Sequence, residues 1–437
     1  MSKVAIIFGI SGEQGLTVAR GILNDGSYQV IYGVTHSIAK HLHHIKRQLD
    51  VHVVLPPHMN NSTTTTNTNN KRCLLLQEAD LSNATSLKAI FQTVQGQSID
   101  IFLVTTTDLP PPDSADASLH DSEEREYQTI KQFFDTLKQV HEQQPKEGKV
   151  ERHVVFSTLE NVRGLVKWLE LHHNNEKLAH LKPLDDGGIV PHYTSKGRGG
   201  EYALSLIHGA PSPWKTDTKS LQSTVAYPSI VPGLNVTLIT LPFLYSNFTA
   251  SAVPLPDVCP ASGQPTQWSI SAYLGDSTHR IEMLSVSDLQ YIVPALFRTK
   301  EYSGQNIHLS SEKITMDYVA RQFADLFGKD VIYAPLTVEE MNVMDIEGAE
   351  CFAQMCQYLA SPWGNRGDVE LTRDIMGKVG REPQTFSDWL LTHSDEEAFE
   401  QVGLTVDGEL CSLLNVIVGY KRVCSFWPTS GIHSFVI

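Results

Sequence analysis

Val4-Ala5-Ile6-Ile7-Phe8-Gly9-Ile10-Ser11-Gly12-Glu13-Gln14-Gly15 decides how the rest of the chain is read. Five consecutive apolar residues suit a strand covered on both faces. Three glycines at intervals of three follow at once, and residues 14–24 then read as a helix. Strand, glycine loop and helix in this order form the context in which a glycine fingerprint is informative. Glycine permits the tight turn, lets backbone N–H groups approach a diphosphate, and clears room for helix packing. The helix N-terminus favours the phosphate charge. The expectation is a nicotinamide-dinucleotide site on Gly9, Ile10, Ser11, Gly12, Glu13, Gln14 and Gly15. The spacing is Gly-x-x-Gly-x-x-Gly rather than Gly-x-Gly-x-x-Gly, and the bland alternative is a glycine-rich turn that holds nothing.

Outward from this loop, short apolar runs at 29–35, 73–77, 99–104, 153–157 and 236–241 alternate with helical stretches at 83–94 and 123–142. That rhythm predicts an α/β fold, a Rossmann doubly wound parallel sheet. Asp80 or Ser82 is the expected N-cap of the 83–94 helix. Polar or proline-rich stretches near 56–72, 109–122 and 209–233 read as surface insertions. From 244 the pattern becomes mixed, with a strand at 267–273, a helix at 285–297, a strand at 306–309 and a helix at 315–327. The expected division is a dinucleotide-binding domain at 1–243, with 284–312 returning to it. Residues 244–283 and 313–402 then form a smaller α/β C-terminal lobe. The extension 403–437 is apolar enough to pack on the body or on a partner.

The 437 residues carry 34 Lys and Arg against 49 Asp and Glu, a formal net charge of -15. This disfavours a nucleic-acid partner, because phosphate neutralisation needs clustered cations. It leaves room for a local basic pocket. Cys73, Cys259, Cys351, Cys356, Cys411 and Cys424 form no Cys-x-x-Cys pair and read as reduced thiols. The first apolar run is too short for a secretory leader, and no run reaches the ~20 residues of a membrane helix. The expectation is a cytoplasmic protein without a membrane anchor, with the nucleus also open to it.

Selectivity should be set after the second strand. NAD-selective folds place an acid there for the ribose hydroxyl. Here no acid occurs until Asp50, and Lys40, His41, His43, His44, Lys46 and Arg47 follow instead. Absence of a carboxylate beside cations suits a 2′-phosphate, so NADP is expected ahead of NAD. The plainer reading of the run is a solvated helix face. No metal is expected, since His41, His43 and His44 lack a carboxylate or thiol at ligand spacing.

Reductases of this fold use a Ser, a Tyr and a Lys four residues after the Tyr, the Lys lowering the phenol pKa. Ser157 ends the fifth run and Lys196 opens a helix, but the residue four before Lys196 is His192, and Tyr193 is only three before it. Three readings stay open: His192 as the acid, Tyr193 swung into place, or a site that holds a cofactor and does little chemistry.

The chain resembles the NmrA-like family of atypical short-chain dehydrogenase/reductases. The resemblance rests on residues 9–19, Phe156-Ser157-Thr158-Leu159-Glu160-Asn161-Val162, 192–202, Leu241-Pro242 with Asn247, Ser285-Val286-Ser287-Asp288-Leu289, Tyr302-Ser303-Gly304-Gln305-Asn306-Ile307 and Asp388-Trp389-Leu390. It implies a dinucleotide lying in the cleft between a Rossmann domain and a smaller lobe. Residues 9–14 would hold the pyrophosphate, and 36–40, including His36 and Lys40, the 2′-phosphate. Asp80 and Leu81 would flank the adenine, and Thr105, Thr106 and Thr107 would line the strand edge. Lys196 would take the nicotinamide ribose, with Leu244, Tyr245, Ser246 and Asn247 at the nicotinamide end. The resemblance also implies His in the Tyr position and an NADP(H)-responsive regulator acting on a protein partner, with homodimerisation open. The alternative is an NAD(P)H-dependent reductase of a small carbonyl or quinone. Two departures stand out: His36 replaces the family's arginine, weakening the 2′-phosphate site, and 403–437 has no counterpart.

Overall fold

The computed structural model describes residues 3–49, 51–56, 73–93, 98–106, 119–144, 150–172, 181, 183–210, 226–250, 252–258, 265–342 and 349–404. The strands are β1 (Lys3–Phe8), β2 (Tyr28–Thr35), β3 (His52–Val54), β4 (Cys73–Glu78), β5 (Ser98–Val104), β6 (Arg152–Thr158) and β7 (Leu234–Thr240). They continue as β8 (Phe243–Leu244), β9 (Leu255–Val258), β10 (Pro265–Ile270), β11 (Arg280–Leu284), β12 (Asn306–His308), β13 (Glu312–Thr315) and β14 (Val331–Tyr333). The helices are α1 (Glu13–Asp25), α2 (Ile38–Leu49), α3 (Ala84–Thr93), α4 (Leu119–Glu142), α5 (Val162–His172), α6 (Pro191–His208) and α7 (Leu289–Thr299). Then come α8 (Met316–Phe327), α9 (Val338–Asn342), α10 (Ala349–Leu359), α11 (Val369–Gly377), α12 (Phe386–Thr392) and α13 (Glu397–Gln401).

Eight strands form one sheet in the order β12-β7-β6-β5-β1-β2-β4-β3, and every neighbouring pair in it is parallel. Strand β1 explains why an unbroken apolar run was needed. Ala5 and Ile7 enter the core beneath α1, α2 and α7, whereas Val4, Ile6 and Phe8 enter the core beneath α3, α4 and α6. The chain winds outward from β1 through β2 to β4, then returns to β5 on the other side of β1. That reversal opens a crevice at the C-terminal end of β1, where doubly wound sheets bind ligands. The glycine loop sits there.

Strand β12 comes back from the second half of the chain and pairs with β7, setting Asn306 beside Leu238 and His308 beside Thr240. Helix α7 lies on α1 so closely that a Cβ on Gly21 would fall 2.0 Å from the Gln290 carbonyl oxygen. Two three-stranded sheets, β14-β10-β9 and β13-β11-β8, build the smaller lobe. Its core also takes Val162, Leu165, Trp168 and Leu169 of α5 and Tyr193 of α6, so it draws on side chains from well before residue 243.

Two local expectations are corrected. The N-cap of α3 is Asn83, whose Oδ1 accepts from the N–H groups of Thr85 (2.9 Å) and Ser86 (3.2 Å). Asp80 turns instead to Ser82, accepting from its N–H and hydroxyl at 2.8 and 2.7 Å. Helix α4 begins at Leu119, so the last residues of the 109–122 insertion are helical. The insertion stretches 57–72, 107–118 and 211–225, and the extension from 405, lie outside the described residues. No described helix is long and apolar enough to cross a membrane. Cys73, Cys351 and Cys356 are free thiols.

Candidate functional site

The three loop glycines have separate reasons. Gly9 has φ +79°, a left-handed conformation, and a Cβ there would lie 2.5 Å from Val104 Cγ1. A Cβ on Gly15 would lie 2.1 Å from the Gly9 carbonyl oxygen, so α1 can rise off the loop only without one. Gly12 differs. It caps α1 in extended geometry with no side-chain hydrogen bond, it is exposed, and a Cβ there would meet only the Gly9 carbonyl oxygen, at 3.6 Å. The fold tolerates a side chain at 12; an anion resting on the uncapped helix end would not. The residues present therefore fit a diphosphate.

Glu13 stands in the first turn of α1 and accepts from Ser246 Oγ at 3.2 Å, tying the loop to the second lobe. Burial pushes its carboxyl up to about 7, opposed by the Ser246 hydrogen bond and aided by Glu396. Ser157 Oγ donates to Gln14 Oε1 at 2.7 Å. Asn247 is buried, and its Nδ2 has no partner. An unpaired buried amide donor is costly unless something else accepts from it. Leu244 and Tyr245 are both fully buried; Leu244 belongs to the same core cluster as Ile10, and Tyr245 donates to Glu312 Oε2 at 2.9 Å.

Beyond β2, His36 and Lys40 are exposed, and the His36 ring packs edge-on against His41 at 5.2 Å. Thr35 Oγ1 and His41 Nε2 are buried atoms without partners. Burial, with His36, Lys40 and His44 nearby, lowers the His41 pKa. An acid does reach this place, from β4 rather than β2. Glu78 pairs with Thr35 in the sheet register, and its Oε1 accepts from the Ile38 N–H at 2.7 Å. Sequence spacing missed it because the carboxylate comes from a neighbouring strand. Asp80 is exposed and Leu81 half-buried at the adjoining strand end. Thr106 is exposed, and Thr107 lies outside the described residues.

Glu126 is a second residue missed from sequence. It accepts from Thr105 Oγ1 at 2.7 Å and closely from Ser195 Oγ, and it pairs with Lys196 Nζ at 3.6 Å. Glu123 beside it binds Arg163 and Arg198. The signal was available. The apolar stripe of α4, Leu137, Phe133 and Ile130, continues backward at helical spacing onto Glu126 and Glu123, so both had to be buried and paired.

Helix α6 carries the remaining candidates. Its N-cap, Val190, is a β-branched residue at φ 40° and ψ 64°, a strain of order 1–3 kcal/mol. It is held by Gln354 of α10, whose Oε1 accepts from the Val190 N–H at 2.8 Å. Tyr193 points into the core of the smaller lobe, its hydroxyl unpartnered and its ring 5.4 Å from Tyr358. Burial raises its pKa far above the ordinary phenol value. His192 is pushed down to about 3 by burial, with a contribution from Lys196. Ser157 thus lies near the end of β6 with its hydroxyl on Gln14, Lys196 pairs with Glu126, and neither His192 nor Tyr193 is a group that titrates near neutral pH.

The chain matches no family model. Its structure is similar to that of NmrA, a negative transcriptional regulator, in complex with NAD: TM-score 0.54, 12% identity, covering 94% of this chain and 98% of that one. The complex of NmrA with NADP gives 0.51 at 14% identity, over 94% and 98%. The fold is that of NmrA. The chain is also similar in structure to the triphenylmethane reductase of Citrobacter sp. complexed with NADP(H), at TM-score 0.50, 12% identity, 90% of this chain and 99% of that one.

Proposed function

We propose that the chain binds a nicotinamide dinucleotide, NADP ahead of NAD, and works as a redox-responsive regulator with little or no catalysis. The observation that carries this reading is the proton inventory around Lys196. His192 is a neutral imidazole at physiological pH, and the Tyr193 hydroxyl faces the core. General acid catalysis needs a group that gives up a proton near working pH. Binding, by contrast, is supported on both sides of the cleft, by the open Gly12 cradle and the unpaired Asn247 amide. Occupancy would bias the Glu13–Ser246 link between the lobes, and a protein partner that discriminates the two states would feel it.

Calorimetry with NADPH tests binding, and loss of nicotinamide absorbance with carbonyl and quinone acceptors tests turnover. Expected are uptake of NADPH and no turnover. Absence of uptake removes the dinucleotide reading. Turnover that disappears in His192→Ala replaces the regulator with a reductase. For selectivity, His36→Arg should tighten NADP about tenfold relative to NAD, the gain of one charge-assisted hydrogen bond. An equal effect on both nucleotides would show that the 2′-phosphate is not held there.

A further inference from the structure

One buried contact on α6 belongs to neither lobe's apolar packing. His192 Nδ1 lies 3.2 Å from the Sγ of Cys351, which α10 brings in from 159 residues away. The other ring nitrogen, Nε2, is buried with no partner, in a residue only 9% exposed. The imidazole is flanked by the Tyr193 ring at 5.0 Å, and the charge that acts on it is Lys196. A neutral imidazole has one N–H and one lone pair, and the partner of one nitrogen fixes the role of the other. Cys351 is itself buried, and burial pushes its thiol up to about 12, so it remains S–H. A thiol is a weak acceptor, whereas an imidazole lone pair is a good one.

We propose that Cys351 is a positioning residue: its S–H donates to His192 Nδ1, locking the ring as the Nε2–H tautomer and reserving that N–H for a carbonyl oxygen of a ligand at the nicotinamide end. His192 then serves as a fixed hydrogen-bond donor and no proton is transferred. The ligand half of this assignment rests on the dinucleotide reading; the tautomer half does not. The same arrangement gives α10 a say in ligand binding, since the helix that supplies Cys351 also supplies Gln354 to the strained Val190.

Histidine side-chain nitrogen NMR on the full chain decides it. The free protein should show His192 as a single Nε2–H tautomer that does not titrate between pH 5.5 and 8. Cys351→Ala should lose the single tautomer, and Cys351→Ser, which keeps a donor, should restore it at unchanged melting temperature. An Nδ1–H tautomer, a titrating ring, or an unaltered tautomer in Cys351→Ala overturns the proposal. Added NADPH should shift the Nε2 signal, whereas adenosine 2′,5′-bisphosphate, which lacks the nicotinamide, should not. Cys351→Ala should weaken NADPH about fivefold, the value of one ordinary hydrogen bond. Equal shifts with both nucleotides overturn the assigned acceptor. Failure of NADPH to bind at all removes the dinucleotide reading and with it the acceptor, while the free-protein spectra still judge the thiol lock.

Discussion

Gly12→Asp is expected to leave the protein as stable as before, or slightly more so, while weakening NADPH by a hundredfold or more. The two effects have opposite signs because they act on the same helix end. Gly12 has φ -94° and ψ 165°, ordinary extended geometry for an N-cap. An Asp there can accept from the first-turn N–H groups, worth a few tenths of a kcal/mol over glycine. Space is available, since only the Gly9 carbonyl oxygen comes near, at 3.6 Å. The new carboxylate, however, takes the place of the diphosphate and repels it, and like charges set face to face cost several kcal/mol. Thermal melting and calorimetry on one sample read both quantities. Undiminished NADPH affinity in a folded Gly12→Asp variant would place the nucleotide elsewhere. Gly15→Ala makes the contrast: its Cβ would meet the Gly9 carbonyl oxygen at 2.1 Å, so it should lower stability as well as binding.

Dinucleotide affinity should also fall as pH rises above 7, by up to tenfold per unit. The Glu13 carboxyl of the free protein stands at about 7, raised by burial and by Glu396 although Ser246 donates to it. A diphosphate on the same helix end adds negative charge and raises the group further. Below 7 Glu13 is protonated in both states and contributes no slope. Above 7 the free protein has lost the proton and the complex keeps it, so binding takes up a proton and weakens with pH. NADH is the cleaner probe because it lacks a 2′-phosphate, whose own titration lies near pH 6. Titrations at pH 7, 8 and 9 should show the decline in wild type and a flat profile in Glu13→Gln. A wild-type profile as flat as the variant's would mean that the carboxyl and the nucleotide never share the helix end.

The strand–loop–helix unit was legible because every cue in it is local. The apolar run, the glycine spacing and the helical periodicity all fall within residues 4–24, and the observed β1 and α1 occupy those positions. What escaped is long-range. Glu78 reaches the end of β2 only through parallel register with Thr35. Cys351 and Gln354 meet α6 across more than 150 residues, and no spacing rule connects them. Val190 is a conformational surprise, since valine argues against a left-handed cap and only tertiary contacts hold it there. Glu123 and Glu126 lie between these cases, because their place on an apolar stripe was visible while their cationic partners were not.

Because β12 re-enters the large sheet from between the two segments of the second lobe, a cut near 243 does not divide the described residues into two self-contained units. A fragment ending near 243 would bare the edge of β7 and strip α7 from α1, an invitation to aggregate. Melting should accordingly be a single cooperative step, and a protease nick in the smaller lobe should be felt at the far side of the sheet.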